Sequence, residues 1–160
     1  MLTDADGGSF ISAEDYAVAL TDELETGRST GRRITVARAD LASNKALVEE
    51  FCQVFYNDKD FERARTLLTD DFANHHPGAG TGPEATVKSF REQVADRLPG
   101  FRLEVRKLVA EADHVWTYSL ITVGPGAPGS VSVDIWRIDR GRIAEHWDVG
   151  QQITEDTVLL

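Results

Sequence analysis

The spacing of apolar residues changes once along the chain, from a helical period to strand alternation. From Ser43 onward apolar residues recur every three or four positions, which predicts a helix that ends at Asn57-Asp58. A second helix is predicted over Phe61 to Leu68, and a third begins after Thr81. After Pro99-Gly100 apolar and polar residues alternate, which predicts consecutive strands.

Local signals refine these elements. Phe72 to Pro77 is predicted to be extended, because the residue before a proline avoids the helical region. Thr81 and Glu84 have the spacing of a capping box. Strands are predicted over Phe101 to Arg106 and within Ala110 to Val123, the latter beginning with a turn around residues 111–113.

The stretch from Val131 to Gln151 is predicted to form a hairpin. If Asp139-Arg140-Gly141 is a three-residue loop, Ile138 lies opposite Arg142 and Asp134 lies opposite His146. A slip of one residue in the turn would reverse the two faces. The residues predicted to share one face are Ser132, Asp134, Trp136, Ala144, His146 and Asp148.

Helices followed by consecutive strands indicate an α+β domain, with the helices packed on one face of the sheet. Residues 1–42 are predicted to be a separate N-terminal extension with one helix after Ser12, and residues 43–155 to be the main domain. The extension would cover the pocket mouth, reach a partner subunit, or simply pack outside the domain.

Composition narrows the class of protein. The net charge is -10 and there is no Lys/Arg cluster, which argues against nucleic acid or an anionic membrane as partner. The single cysteine, Cys52, lies among apolar helix residues and is expected to be a buried thiol. No signal peptide and no membrane-spanning run are recognised, so we expect a cytoplasmic protein.

The hairpin sequence DIWRIDRGRIAEHWDV resembles the C-terminal signature of the SnoaL-like polyketide-cyclase group. This group lies within the nuclear transport factor 2-like superfamily, which also contains ketosteroid isomerases and limonene-epoxide-hydrolase-like enzymes. Upstream, Asn74-His75-His76-Pro77 is similar to the family's histidine-x-proline stretch. The resemblance covers roughly Asn44 to Ile153. It implies a cone-shaped, cystatin-like α+β barrel, a curved antiparallel sheet wrapped around helices, whose open end is the pocket.

Asp134, His146 and Asp148 are the first candidate site residues. Strand alternation alone allows Asp134 to face either the pocket or solvent, and the resemblance implies the pocket, because the family's acid occupies a matching Asp-x-x-Arg context. An acid in apolar surroundings is more readily protonated, so Asp134 could donate to an enolate oxygen. Asp148 is expected to fix the tautomer of His146, which could relay a proton; otherwise His146 is a structural histidine on a solvated strand.

His75 and His76 are the candidate general bases. Neighbours in an extended chain point in opposite directions, so only one is expected to face the pocket. The SnoaL-like pattern aligns best with His75, whereas the isomerase base aligns with His76. A loop histidine that caps a helix end is the structural alternative.

Trp116 and Tyr118 are expected to form pocket wall or core, and the Tyr118 hydroxyl could meet a substrate oxygen. The predicted substrate-binding residues are Trp116, Tyr118, Trp136 and Asp148. No ligand spacing on one helix indicates a metal site. The Gly124 to Ser130 loop carries no lysine and opens no helix, so it does not resemble a phosphate-binding loop. We therefore expect neither metal nor cofactor.

These features favour a cofactor-free acid-base enzyme, a SnoaL-like cyclase or isomerase of the lyase or isomerase class. Its substrate would be a small hydrophobic carbonyl compound of the polyketide kind, from secondary metabolite biosynthesis. The alternatives are a non-catalytic ligand-binding module and, less favoured, an epoxide hydrolase. A homodimer is predicted through the outer sheet face, where Trp147, Val149 and Ile153 add apolar surface.

Overall fold

The computed structural model describes residues 21, 41–157 and 159. Of the helix predicted after Ser12, only Thr21 lies within these residues. The division of the chain at residues 42 and 43 therefore stays a prediction. None of the helices in the described part of the chain is long and apolar enough to cross a membrane.

Helix α1 begins at Leu41, and its last part widens into a π-helix. The predicted end at Asp58 is confirmed, and Lys59 adopts a left-handed conformation with φ 57° immediately after it. Asp60 caps the next helix by accepting a hydrogen bond from the Arg63 backbone N–H at 3.0 Å. The helical bounds are Leu41–Phe51 for α1, Cys52–Asp58 for its π-helical continuation, Phe61–Thr66 for α2, Gly82–Phe90 for α3 and Arg91–Ala95 for a second π-helical turn.

Two predictions about these helices are wrong. Leu68 is not helical but begins the first strand, so α2 is two residues shorter than predicted. The capping box is not formed, since the Thr81 side chain makes no capping hydrogen bond. Glu84 instead forms an ion pair with Arg65 at 2.7 Å, because α2 and α3 lie close enough for that contact.

Five strands form one open sheet in the order β1-β5-β4-β3-β2. Strand β1 runs parallel to β5, whereas the other neighbours are antiparallel, so the sheet is mixed rather than purely antiparallel as predicted. Bulges in β2 and β5 increase its curvature. The α+β class is confirmed. The strands are Leu68–Asn74 for β1, Arg102–Glu111 for β2, His114–Thr122 for β3, Ser130–Asp139 for β4 and Arg142–Gln152 for β5.

The β4–β5 hairpin reaches the predicted arrangement of faces through a different register. Its loop has two residues, Arg140 and Gly141, both with positive φ (50° and 75°), as a type I′ turn requires. A bulge at Ala144 then adds one residue to β5. The shorter loop alone would turn the β5 residues to the opposite face, and so would the bulge alone. The two changes together leave each residue on its predicted face. Consequently Asp134 pairs with Asp148, not with His146.

The helices pack against the inner face of the sheet, where Trp136 is 1% exposed. The Phe51 ring meets the Trp136 ring edge-on at 5.4 Å between centroids. This face and the helices share one apolar core. Its largest fully buried members are Trp136, Phe51, Phe72, Leu68, Ile143, Val48 and Val87.

Trp116 and Tyr118 lie on the other face of the sheet, so the prediction that they line the pocket is wrong. They pair with Ile135 and Val133, which alternate with Asp134 along β4 and therefore point away from it. Sequence alternation did not distinguish the faces of β3, because both faces carry apolar residues. The inner face of β3 instead presents Thr117 and Ser119.

Candidate active site

Asp134 and His146 form a buried polar contact on the inner face of the sheet. The Nε2 atom of His146 lies 3.1 Å from Oδ1 of Asp134, and each residue is only 4% exposed. The other carboxylate oxygen, Oδ2, accepts hydrogen bonds from the hydroxyls of Ser132 at 2.9 Å and Thr117 at 3.4 Å. Both oxygens of Asp134 are thus satisfied without solvent.

Residues of β4 and β3 pack around this pair. Trp136 pairs with His146 across the hairpin, and their rings stack at 4.0 Å between centroids. The indole Nε1–H of Trp136 donates to Oγ1 of Thr117 at 3.3 Å. The Trp136 ring therefore covers the imidazole and also orients the hydroxyl that reaches the carboxylate. Trp136 is the one predicted aromatic that lies at the pair.

Asn74, rather than Asp148, is the second partner of His146. Strand β1 runs beside β5 with Asn74 in register with His146, and the Asn74 Oδ1 lies 3.1 Å from His146 Nδ1. The prediction that Asp148 fixes the His146 tautomer is wrong, because Asp148 bonds a different histidine. Asn74 belongs to the quoted Asn-His-His-Pro stretch, but no local pattern indicated its parallel pairing with β5.

Asp148 forms a second, more exposed pair with His76. The Nδ1 atom of His76 lies 2.8 and 2.9 Å from the two oxygens of Asp148. The side chain of His76 is 55% exposed and that of Asp148 is 19% exposed. Since Asp148 pairs with Asp134 across the hairpin, this second pair lies on the same side of the sheet as the buried one.

His75 points to the opposite side, as expected for neighbours in an extended chain. Its ring stacks on Trp147 at 4.6 Å, and its Nε2 lies 3.0 Å from Glu145. The hydrogen bond from His75 lowers the pKa of Glu145, with a further contribution from Arg137. Of the two candidate bases, the structure brings only His76 to the side of Asp134.

Two residues near the pair, Tyr56 and Cys52, were not predicted as site residues. Burial raises the pKa of the Tyr56 hydroxyl well above 10.0, and the charges of Asp134, Cys52 and Asp148 raise it further. Burial, then Asp134 and Glu49, likewise raise the pKa of the Cys52 thiol. Both residues belong to the π-helix, a geometry frequent at functional sites. No pattern in the sequence singled out Tyr56.

A cavity of about 440 Å³ lies between the α1 helix and strands β2 and β3. Asp134 and His146 do not line it, so the buried pair lies beside this cavity and not on its wall. Cys52 is close to both the cavity and the buried pair. It lines the cavity, and the charge of Asp134 contributes to its raised pKa. The lining residues include Cys52, Gln53, Asn57, Leu103 and Val105.

This arrangement is suited to proton exchange and to hydrogen bonding of a ligand oxygen. Two carboxyl groups, two imidazoles and a phenol that retains its proton lie on one side of the sheet. The buried hydroxyl of Ser119 has no hydrogen-bond partner among the described residues. Within residues 41–157 no three His, Cys, Asp or Glu side chains are grouped so that they could hold a metal ion.

Comparison with known proteins identifies the family and the fold. A family model described as a SnoaL-like domain matches residues 48–146, more than half of the chain. No curated protein matches the sequence significantly.

Similar solved structures share 20–21% sequence identity with this chain, which indicates a common fold only. A candidate ketosteroid isomerase from Kribbella flavida is 20% identical, with 74% of this chain and 85% of that chain covered and a TM-score of 0.61. IdmH, a candidate polyketide cyclase from Streptomyces antibioticus, is 21% identical, with coverages of 67% and 91% and a TM-score of 0.58. An LEH-like epoxide hydrolase from M. tuberculosis is 21% identical, with coverages of 69% and 84% and a TM-score of 0.54.

The raised pKa of Tyr56 predicts a specific pH dependence of stability. Tyr56 ionises at a higher pH in the folded protein than in the unfolded chain, whose tyrosine pKa is 10.0. The unfolded state therefore gains ionised tyrosine first, and the folded state loses stability as the pH rises above 10.0. Tyr56→Phe removes the titration. We expect wild type and Tyr56→Phe to differ in free energy of unfolding by a constant amount below pH 10.0, and wild type to lose stability relative to the variant above it. Urea unfolding of both proteins from below to above pH 10.0 measures this difference in free energy. A difference that stays constant above pH 10.0 would contradict the raised pKa of Tyr56.

Proposed function

Because the chain belongs to the family of SnoaL-like domains, we propose that it is a cofactor-free acid-base enzyme acting on a small hydrophobic carbonyl compound of the polyketide kind. The reaction would be enolisation followed by aldol-type cyclisation or by isomerisation. The observation that carries this proposal is the buried contact between Asp134 and His146 at 3.1 Å. An ionisable pair of this kind is a weak source of stability, which favours a chemical role.

His76 is the proposed general base. When its Nδ1–H donates to Asp148, the lone pair on Nε2 is available to accept a proton from the carbon between two carbonyls. The electron pair of the broken C–H bond becomes the enolate. The more than half-exposed imidazole is accessible to a substrate that enters from solvent.

Tyr56 and Asp134 are proposed to receive the developing negative charge. The pKa of Tyr56 is raised, so its hydroxyl keeps its proton and can donate a hydrogen bond to the enolate oxygen. Asp134, with the proton that it shares with His146, would be the second donor. In a cyclisation the enolate carbon then bonds to a second carbonyl carbon, and protonated His76 returns its proton to the new alkoxide.

A ligand-binding module is the alternative function, favoured by one observation. The cavity of about 440 Å³ lies beside the buried pair and is lined partly by apolar residues such as Leu103 and Val105. A ligand held there would not need acid-base chemistry. Epoxide opening has less support. Arg137, three residues after Asp134, bonds Glu145 on the other face of the sheet and so does not lie beside the Asp134 carboxyl group.

We also propose a cytoplasmic homodimer that associates through the outer sheet face. The net charge of -10 suits a soluble intracellular protein. The outer face exposes Val149 by 70%, Val109 by 63% and Val133 by 38%, near the half-buried rings of Trp116 and Trp147. Grouped apolar side chains of this kind are typical of an interface.

Light scattering at micromolar concentration is expected to show a dimer. Val149→Asp places a charge on this face without disturbing the core, so the variant is expected to become monomeric while its circular dichroism stays unchanged. A wild-type protein that remains monomeric at these concentrations would contradict the proposed interface.

Replacing Asp134 by Asn is the most direct test of the proposed chemistry. The substitution keeps the shape of the side chain and removes the acid, so turnover of linear and cyclic 1,3-dicarbonyl compounds should fall by roughly 100-fold or more. His146→Gln should have a smaller effect if His146 only positions the acid.

The matched control is Asp139→Asn, at the exposed end of the same strand, which should retain full activity. Product formation measured by mass spectrometry distinguishes these outcomes. Full activity of Asp134→Asn on compounds that the wild type converts would refute the acid-base proposal, and turnover by neither protein would favour the ligand-binding alternative.

A further inference from the structure

The hydrogen bonds of Asn74 determine which atom of its amide faces His146. The backbone N–H of His76 lies 3.0 Å from the same atom, Oδ1, that contacts His146. A backbone N–H can only donate, so the amide atom that it meets must be the oxygen. The amide nitrogen is then directed to Oγ1 of Thr86, at 3.5 Å. Asn74 thus presents an acceptor to the imidazole.

An acceptor at this position requires a proton on Nδ1 of His146. The amide oxygen cannot donate, so the 3.1 Å contact is a hydrogen bond only when Nδ1 carries hydrogen. A neutral imidazole with a proton on Nδ1 has a lone pair on Nε2. The Nε2 atom of His146 lies 3.1 Å from Oδ1 of Asp134, which also carries lone pairs. The two atoms would repel each other unless one further proton lies between them.

The other oxygen of Asp134 does not carry this proton. The indole N–H of Trp136 donates to Oγ1 of Thr117, which leaves the Thr117 O–H free to donate to Oδ2 of Asp134. The Ser132 O–H donates to the same oxygen at 2.9 Å. An oxygen that accepts two hydroxyl protons is poorly placed to hold one of its own, so the shared proton lies between Oδ1 of Asp134 and Nε2 of His146.

We infer that Asn74 is a positioning residue that locks the tautomer of His146 and thereby makes Asp134 and His146 a unit that shares one proton. The inference deepens the proposed function and rests on it only for the chemical use of that proton. Without Asn74, His146 would carry its proton on Nε2 and donate it to the Asp134 carboxylate as an ordinary structural pair. With Asn74, the same contact holds one proton more than the ordinary pair, and this is the proton that the proposed function would use.

The tautomer can be measured on the free protein. Nitrogen-15 NMR of histidine-labelled protein at pH 7.5 distinguishes protonated from unprotonated ring nitrogens, and His146→Gln identifies the His146 signals among the four histidines. We expect wild type to show a protonated Nδ1. In Asn74→Leu the ratio of Nδ1–H to Nε2–H tautomers should fall by roughly fivefold or more, as expected for the loss of one hydrogen bond.

Two further variants control for packing. Asn74→Asp keeps the acceptor and should keep the protonated Nδ1, so it tests the inference even if Asn74→Leu does not fold. Thr86→Val removes only the partner of the amide nitrogen and should also keep it. A wild-type His146 with hydrogen on Nε2 alone would overturn the inference, as would an unchanged ratio in a folded Asn74→Leu or loss of the Nδ1 proton in Asn74→Asp. Because no substrate is involved, a failure of the proposed enzymatic activity would leave this result unaffected.

Discussion

The burial of Asp134 and His146 is the constraint that accounts for the polar residues around them on the inner face of the sheet. Two ionisable groups, each 4% exposed, must be satisfied away from water. Three strands supply the partners that meet this requirement. Strand β3 supplies the Thr117 hydroxyl, β4 supplies Ser132 and the covering ring of Trp136, and β1 supplies Asn74 on the far side of the imidazole.

The two faces of the sheet have different physical characters. The inner face combines an apolar core with a polar cluster whose hydrogen bonds are almost all internal. The outer face carries ion pairs such as Arg137 to Glu145 at 2.6 Å, together with half-exposed aromatic rings and exposed valines. The residues of the buried polar cluster and those of the proposed dimer face are therefore different, because neighbouring residues of a strand point to opposite faces of the sheet.

Much of the fold could be predicted from the sequence, because helical and strand periods are local properties. The face shared by Asp134, His146 and Trp136 was also predictable, although through a register in which a shorter loop and the Ala144 bulge compensate each other. The inner residues of β3 could not be distinguished from the outer ones, since both sets include apolar side chains.

The partners of the site residues were not predictable, because they are non-local. Asn74 reaches His146 only through the parallel pairing of β1 with β5, and a parallel pair leaves no hairpin signal in the sequence. The charges of Asp134 and Asp148 contribute to the raised pKa of Tyr56, which lies on a π-helix whose period does not match the helical pattern used to predict it. The sequence therefore indicated that Asp134 and His146 share a face, but not which other residues contact them.

We propose that the buried pair is maintained for proton chemistry and not for stability. Measuring the free energy of unfolding of Asp134→Asn in urea tests it most directly. An asparagine amide can accept from Ser132 and Thr117 and donate to Nε2 of His146, so we predict a value within about 1 kcal/mol of wild type. A loss of roughly 3 kcal/mol or more, the cost of breaking a buried pair that the fold requires, would contradict the claim.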